Sequence, residues 1–97
     1  AGGTALWQAG KIISEETASM EKVASATEGA FKTKHILLTD KVARDEVIQL
    51  RGEDLSDHKV AVDVFSKGAK NSRIEIRYGI GDETAARDLL NEIKRRL

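Results

Sequence analysis

Few residues in this chain have both the type and the spacing to do chemistry. Gly79-Ile80-Gly81-Asp82 follows a strand-like run and precedes a helix-like one. Several phosphate-binding loops begin this way, with the amides of a glycine-rich turn and a helix N-terminus aimed at an anion. The neighbouring residues argue against that use. A dinucleotide fingerprint needs a third glycine where Thr84-Ala85-Ala86 stands, and a P-loop needs a Gly-Lys-Ser/Thr triplet that does not occur. Asp82 is the expected N-cap and Glu83 falls in the first helical turn, so carboxylates already serve the free amides and repel an incoming anion. The segment therefore reads as a structural corner of Gly79, Gly81 and Asp82, in which the glycines supply backbone angles closed to other residues.

The remaining candidates are weaker. His35 and His58 would need Asp40, Asp57 or Asp63 to complete a metal site, and their spacing matches no ligand pattern. Acidic pairs at Glu15-Glu16, Asp45-Glu46, Glu53-Asp54 and Asp82-Glu83 fall at element ends, where solvated charge is expected rather than glycosidic acid–base work. The serines lack a Gly-x-Ser-x-Gly elbow. The chain has no cysteine, which removes disulfides, thiolate catalysis and cysteine-based zinc sites. The expectation is a protein that is not an enzyme and has no metal or cofactor.

Charge narrows the partners. Sixteen basic and sixteen acidic side chains cancel, so no long-range field gathers nucleic acid or anionic membrane. Trp7, Phe31, Phe65 and Tyr78 are the only aromatics, too few for a base-stacking platform. No apolar run approaches the ~20 residues of a membrane helix. What remains is protein recognition. Asp63 and Phe65 share the wet face of a hairpin with Arg73, Glu75 and Arg77. That row is either a ladder of cross-strand charge pairs or a partner surface anchored by arginines and a phenylalanine. Trp7 offers a second contact, through exposure or through pairing of an edge strand.

The elements that position these residues follow from periodicity. Thr4 to Glu16 reads as one strand with a bulge or bend at Gly10. Ser19 caps a helix in which Met20, Val23, Ala24, Thr27, Ala30 and Phe31 form one stripe. A short strand ends near Asp40, and another covers about Glu46 to Arg51. Val60, Val62 and Val64 alternate with Ala61, Asp63 and Phe65. After the turn "KGAKN", Ile74, Ile76 and Tyr78 alternate with Arg73, Glu75 and Arg77, so the sheet has one buried and one wet face. Ala86, Leu89, Leu90, Ile93 and Leu97 make the stripe of a closing helix. The order is β-α-β-β-β-β-α. It predicts a single α+β domain, a two-layer sandwich with a mainly antiparallel sheet of four to five strands and two helices on one face. The 97 residues suffice for one modest core.

"RYGIGDETAARDLLNEI" resembles the C-terminal hallmark of a family of short, uncharacterised bacterial lipoproteins that carry a domain of unknown function. Arg77, Gly79, Gly81, Asp82, Leu89 and Ile93 match it, with one residue fewer between the glycines. "SMEKVASATEGAF" is similar to the family's first helix through Val23, Ala26, Ala30 and Phe31, and "WQAGKI" to the preceding strand with Gly10. The resemblance spans residues 7 to 95. It implies an exported protein, periplasmic or held at a membrane only by an N-terminal lipid outside this sequence, and it brings no catalytic residue. It also fits a chain that opens on Ala1 and has Met20 as its one methionine, for which residues 1–3 are expected to be a flexible remnant of a removed segment. Two functions follow. One is a non-enzymatic cell-envelope domain with an unknown protein partner. The other is a small-ligand module with a pocket between helices and sheet, among Val23, Phe31, Ile74, Ile76, Leu90 and Ile93.

Overall fold

A computed structural model describes residues 5–97. The expected remnant at residues 1–3 lies outside them. The elements run β1 (Leu6–Gln8), β2 (Lys11–Glu16), α1 (Met20–Thr33), β3 (Leu37–Ala43), β4 (Val47–Glu53), β5 (Lys59–Gly68), β6 (Asn71–Tyr78) and α2 (Glu83–Arg95). All six strands join one antiparallel sheet in the order β1-β2-β6-β5-β4-β3. The class is α+β as expected, but the sheet has six strands rather than four or five, and the order is β-β-α-β-β-β-β-α.

The extra strand comes from residues 4–16, expected as one bent strand. Ala9 and Gly10 both take positive φ, 55° and 76°, which folds the segment into a hairpin pairing Gln8 with Lys11 and Leu6 with Ile13. Two successive left-handed residues make the two-residue turn whose twist suits a hairpin. Alanine is a poor marker for it, because its Cβ disfavours that region. The third strand also differs, continuing past Asp40 to Ala43. A bulge between Leu38 and Asp40 resets its register against β4, which supplies hydrogen-bond partners that local sequence does not reveal.

α1 begins as expected, with the Ser19 hydroxyl accepting from the Lys22 amide at 3.1 Å. Its end is set by His35, at φ 59°. The Ile36 amide donates to the Phe31 carbonyl and the His35 amide to that of Lys32, so His35 is the left-handed residue of a Schellman stop. The core lies between the helices and one sheet face. Val23, Phe31, Leu50, Val60, Val62, Val64, Ile74, Ile76, Leu89 and Ile93 are all buried there. Both helices cover the same face, α1 over β3 to β6 and α2 over β2 and β6. Among the described residues, no element packs on the opposite sheet face.

Strand directions sort the connections into two ends. The β1–β2 turn, the α1–β3 stop, the β4–β5 loop and the β6–α2 corner share one end. The β2–α1, β3–β4 and β5–β6 connections share the other. The chain enters β1 from this second end.

Candidate interaction surface

At the β6–α2 corner, Gly79 and Gly81 have φ of 59° and 108°. The Gly79 amide donates to the Lys59 carbonyl at 2.7 Å, and the Gly81 and Asp82 amides donate to that of Tyr78. Asp82 caps α2, its carboxylate accepting from the Ala85 amide at 3.0 Å. The Gly79, Gly81, Asp82 and Ala85 amides thus already serve the main chain or the cap. Gly81→Val forces a β-branched residue into φ near 108° and is expected to cost about 1–3 kcal/mol. Asp82→Ala removes the cap for about 1 kcal/mol. Urea unfolding of both variants checks this, and unchanged midpoints would contradict it.

Beside the corner lies a cluster that periodicity did not reveal. The Tyr78 hydroxyl donates to Asp54 Oδ2 at 2.7 Å, and His58 Nδ1 lies 3.1 Å from the same oxygen. The Ser56 and His58 amides both donate to Asp54 Oδ1 at 2.9 Å. The carboxylate thus clasps the β4–β5 loop, where Asp57 holds φ at 64°. A metal site at His58 would need Asp40, Asp57 or Asp63, but the side chain its ring meets is Asp54, four residues upstream. The spacing Asp-x-Ser-x-His is the one sequence trace of this loop, since Asp side chains often accept amides two residues on.

The Tyr78 hydroxyl, followed by the His58 amide, holds the Asp54 carboxyl well below the usual carboxylate range. Burial, then the Asp54 carboxylate, pushes the Tyr78 phenol above its ordinary value. A lowered folded-state value stabilises above the unfolded aspartate value of about 4, and that contribution fades as pH falls through the folded value. A raised tyrosine value contributes below about pH 10 and is lost as pH rises beyond it. Carboxyl NMR is expected to show Asp54 titrating well below the ordinary carboxylate range, and Tyr78→Phe to move it back toward that range. An ordinary titration in the unaltered protein would sink this account.

The uncovered sheet face holds most of the residues singled out from sequence. Asp63, Phe65, Arg73 and Arg77 all point into it, with the register pairing Asp63 with Glu75, Phe65 with Arg73 and Ala61 with Arg77. Lys11 Nζ and Arg73 Nη2 lie 2.9 and 3.2 Å from Glu75, and Arg51 Nη1 lies 2.8 Å from Asp63. The Arg73 guanidinium sits 5.1 Å from the centre of the Phe65 ring. Leu6, Ile13, Val42 and Val47 share this face, and Leu6 is more than half exposed. Trp7 does not join them. It pairs with Ile12, whose side chain is in the core, so the indole packs half-buried on the helix side. Of the residues expected to meet a partner, Asp63, Phe65, Arg73 and Arg77 share this face, whereas Trp7, the separate second contact, lies on β1 at the edge of the sheet.

The acidic pairs separate. Glu15 is exposed, whereas Glu16 is buried under α2, accepting from the Ser14 hydroxyl at 2.6 Å and lying 3.3 Å from Lys94 Nζ. Glu16 and Lys94 border a hollow of about 190 Å³ with Lys22 and Leu97. Among the described residues, no three His, Asp or Glu side chains come together as a metal site would require. The six residues proposed to line a ligand pocket are 0–2 % exposed. The surface hollows described here have other linings.

Residues 1–96 match the family described as "Protein of unknown function (DUF3568)". The chain belongs to this family. The match covers the strand, first helix and corner on which the sequence resemblance rested. No curated protein matches the chain. In this DUF3568 chain, Gly79, Gly81 and Asp82 stand between β6 and α2.

Proposed function

We propose that this DUF3568 chain is a non-enzymatic domain of the bacterial cell envelope, exported and tethered by an N-terminal lipid, that works by binding another protein through its uncovered sheet face. The observation that carries this is the face itself. Both helices pack on one side, and the other presents Phe65 stacked on Arg73 among Leu6, Ile13, Val42 and Val47, bordered by ion pairs. A half-apolar face with arginine and aromatic anchors is the composition expected of a recognition surface. The lipid tether rests on the resemblance described above. The point where the chain enters β1 suits it, since a tether there holds the glycine-corner end away from the membrane.

The test uses the full-length protein in cells. A photo-crosslinking residue at position 65 is expected to capture one envelope protein, while one at exposed Ser25 on α1 does not, and Phe65→Glu prevents co-purification without changing the circular dichroism. A protein that takes up no labelled fatty acid and stays in the cytoplasm would overturn the location. Equal capture from both faces would overturn the surface.

A further inference from the structure

One part of the uncovered face departs from the balance of the chain. Arg51, Ala61 and Arg77 are direct neighbours across β4, β5 and β6. The short alanine between two long side chains leaves a hollow of about 280 Å³, which Lys59, Thr39 and Gly79 also border. Three cations line it and no acid does, in a sequence with equal numbers of each.

The cations differ in how they are held. Arg51 is fixed through Nη1, which donates to Asp63 at 2.8 Å and to the Leu50 carbonyl at 3.0 Å. Lys59 has only a surface pairing with Glu53 at 3.1 Å, its side chain 80 % exposed. Such a pair adds little stability and exchanges readily for another acid. Arg77 donates to the Ala9 carbonyl at 3.2 Å and has no acidic partner among the described residues. Lys59 and Gly79 also border a second hollow of about 370 Å³ with Asp57, His58 and Ile80, and Ile80 is fully exposed. The two hollows meet at Lys59 and Gly79, so the cationic floor leads to a mixed rim on which Ile80 is the apolar side chain.

We propose that this trough binds an acidic polypeptide segment, with carboxylate side chains on Arg51, Arg77 and Lys59 and an apolar side chain against Ile80. The arginine backbones sit two strands apart, or about 10 Å, with the Arg77 guanidinium turned toward Ala9 and Gly10. That spacing suits carboxylates two or three residues apart on an extended chain, each met by a guanidinium able to grip it with two parallel hydrogen bonds. The inference rests on the protein-binding reading above and names the partner's chemistry.

The test is an amide NMR titration of the protein with acetyl-Glu-Glu-Glu-amide, acetyl-Gln-Gln-Gln-amide and inorganic phosphate, at about 50 and about 300 mM salt. The glutamate peptide is expected to shift the amides of Lys59, Ala61 and Gly79, and to bind more weakly at the higher salt. Arg77→Gln should weaken it about fivefold or more, and Ala61→Glu, which fills the hollow with the opposite charge, should abolish it. Circular dichroism of both variants reports the fold. No shift at these amides, equal shifts with the glutamine peptide, or equal binding by Arg77→Gln would overturn the proposal. Equal shifts with phosphate would assign the trough to a small anion and overturn it too. Crosslinking at position 65 with a silent trough would discard this inference alone. A working trough without that crosslinking would discard the wider surface instead.

Discussion

Phe31→Ala is expected to lower the free energy of unfolding by about 3–5 kcal/mol. Phe31 is 1 % exposed, near the C-terminal end of α1, where it packs over β4 beside Ile36 and Gly52. Truncation removes the aromatic transfer energy. It also leaves a cavity that cannot collapse, because the sheet on one side is pinned by neighbouring strands and the helix on the other by the His35 stop. A domain of this size holds about 5–15 kcal/mol in total, so a large share of its stability would go. Urea unfolding followed by circular dichroism measures the effect. A loss under about 1 kcal/mol would show that the site repacks and that the account of α1 on β4 is wrong.

The second large effect comes from the opposite change at the same contact. A Cβ added at Gly52 would lie 2.6 Å from Ile36 Cγ2, 2.8 Å from Phe31 Cε2 and 3.0 Å from the Leu37 carbonyl oxygen. Its φ is not positive, so the requirement is space rather than backbone angle. The side chains could shift, but the carbonyl belongs to β3 and moves only with the strand. Gly52→Val is therefore expected to cost about 3 kcal/mol and Gly52→Ala about 1–3 kcal/mol. The two sites are coupled. In a Phe31→Ala background, Gly52→Ala should cost less by about 1 kcal/mol, because one of its clashing partners has gone. Strictly additive losses would mean that the ring and the glycine do not meet.

The contact between Phe31 and Gly52 also shows where sequence reading stops. The spacing of Phe31 with Met20, Val23, Thr27 and Ala30 puts it on the buried stripe of α1, while the strand expected over about Glu46 to Arg51 stops short of Gly52. Gly52 instead lies within β4, opposite Leu38, with the ring above it. Nothing local to "QLRGED" indicates which helix will lie on that strand.

The hairpin β5–β6 and both helices with their caps were legible because the forces that form them act within a few residues. Alternation in Val60–Phe65 and Arg73–Tyr78 fixes the buried face, and the Ser19 and Asp82 side chains reach amides three residues on. The same alternation placed Asp63, Phe65, Arg73 and Arg77 on one wet face. The hairpin at Ala9-Gly10 escaped because alanine in a left-handed turn is tolerated only when both flanking strands pair, and β2 pairs with β6 some sixty residues away. The Asp54 clasp required Tyr78 to arrive from another strand, and the ion pair of Lys11 with Glu75 spans 64 positions.

By itself, the sequence determined the α+β class, the faces of its strands and helices, and where the helices begin. The tertiary structure alone decided that the face opposite the helices stays uncovered, that Trp7 sits away from it, and that Arg51, Ala61 and Arg77 stand in a row. The reason is physical. Periodicity is written in the spacing of neighbours along the chain, whereas a row across a sheet depends on which strands adjoin and in what register, and that is settled by the packing of the whole domain.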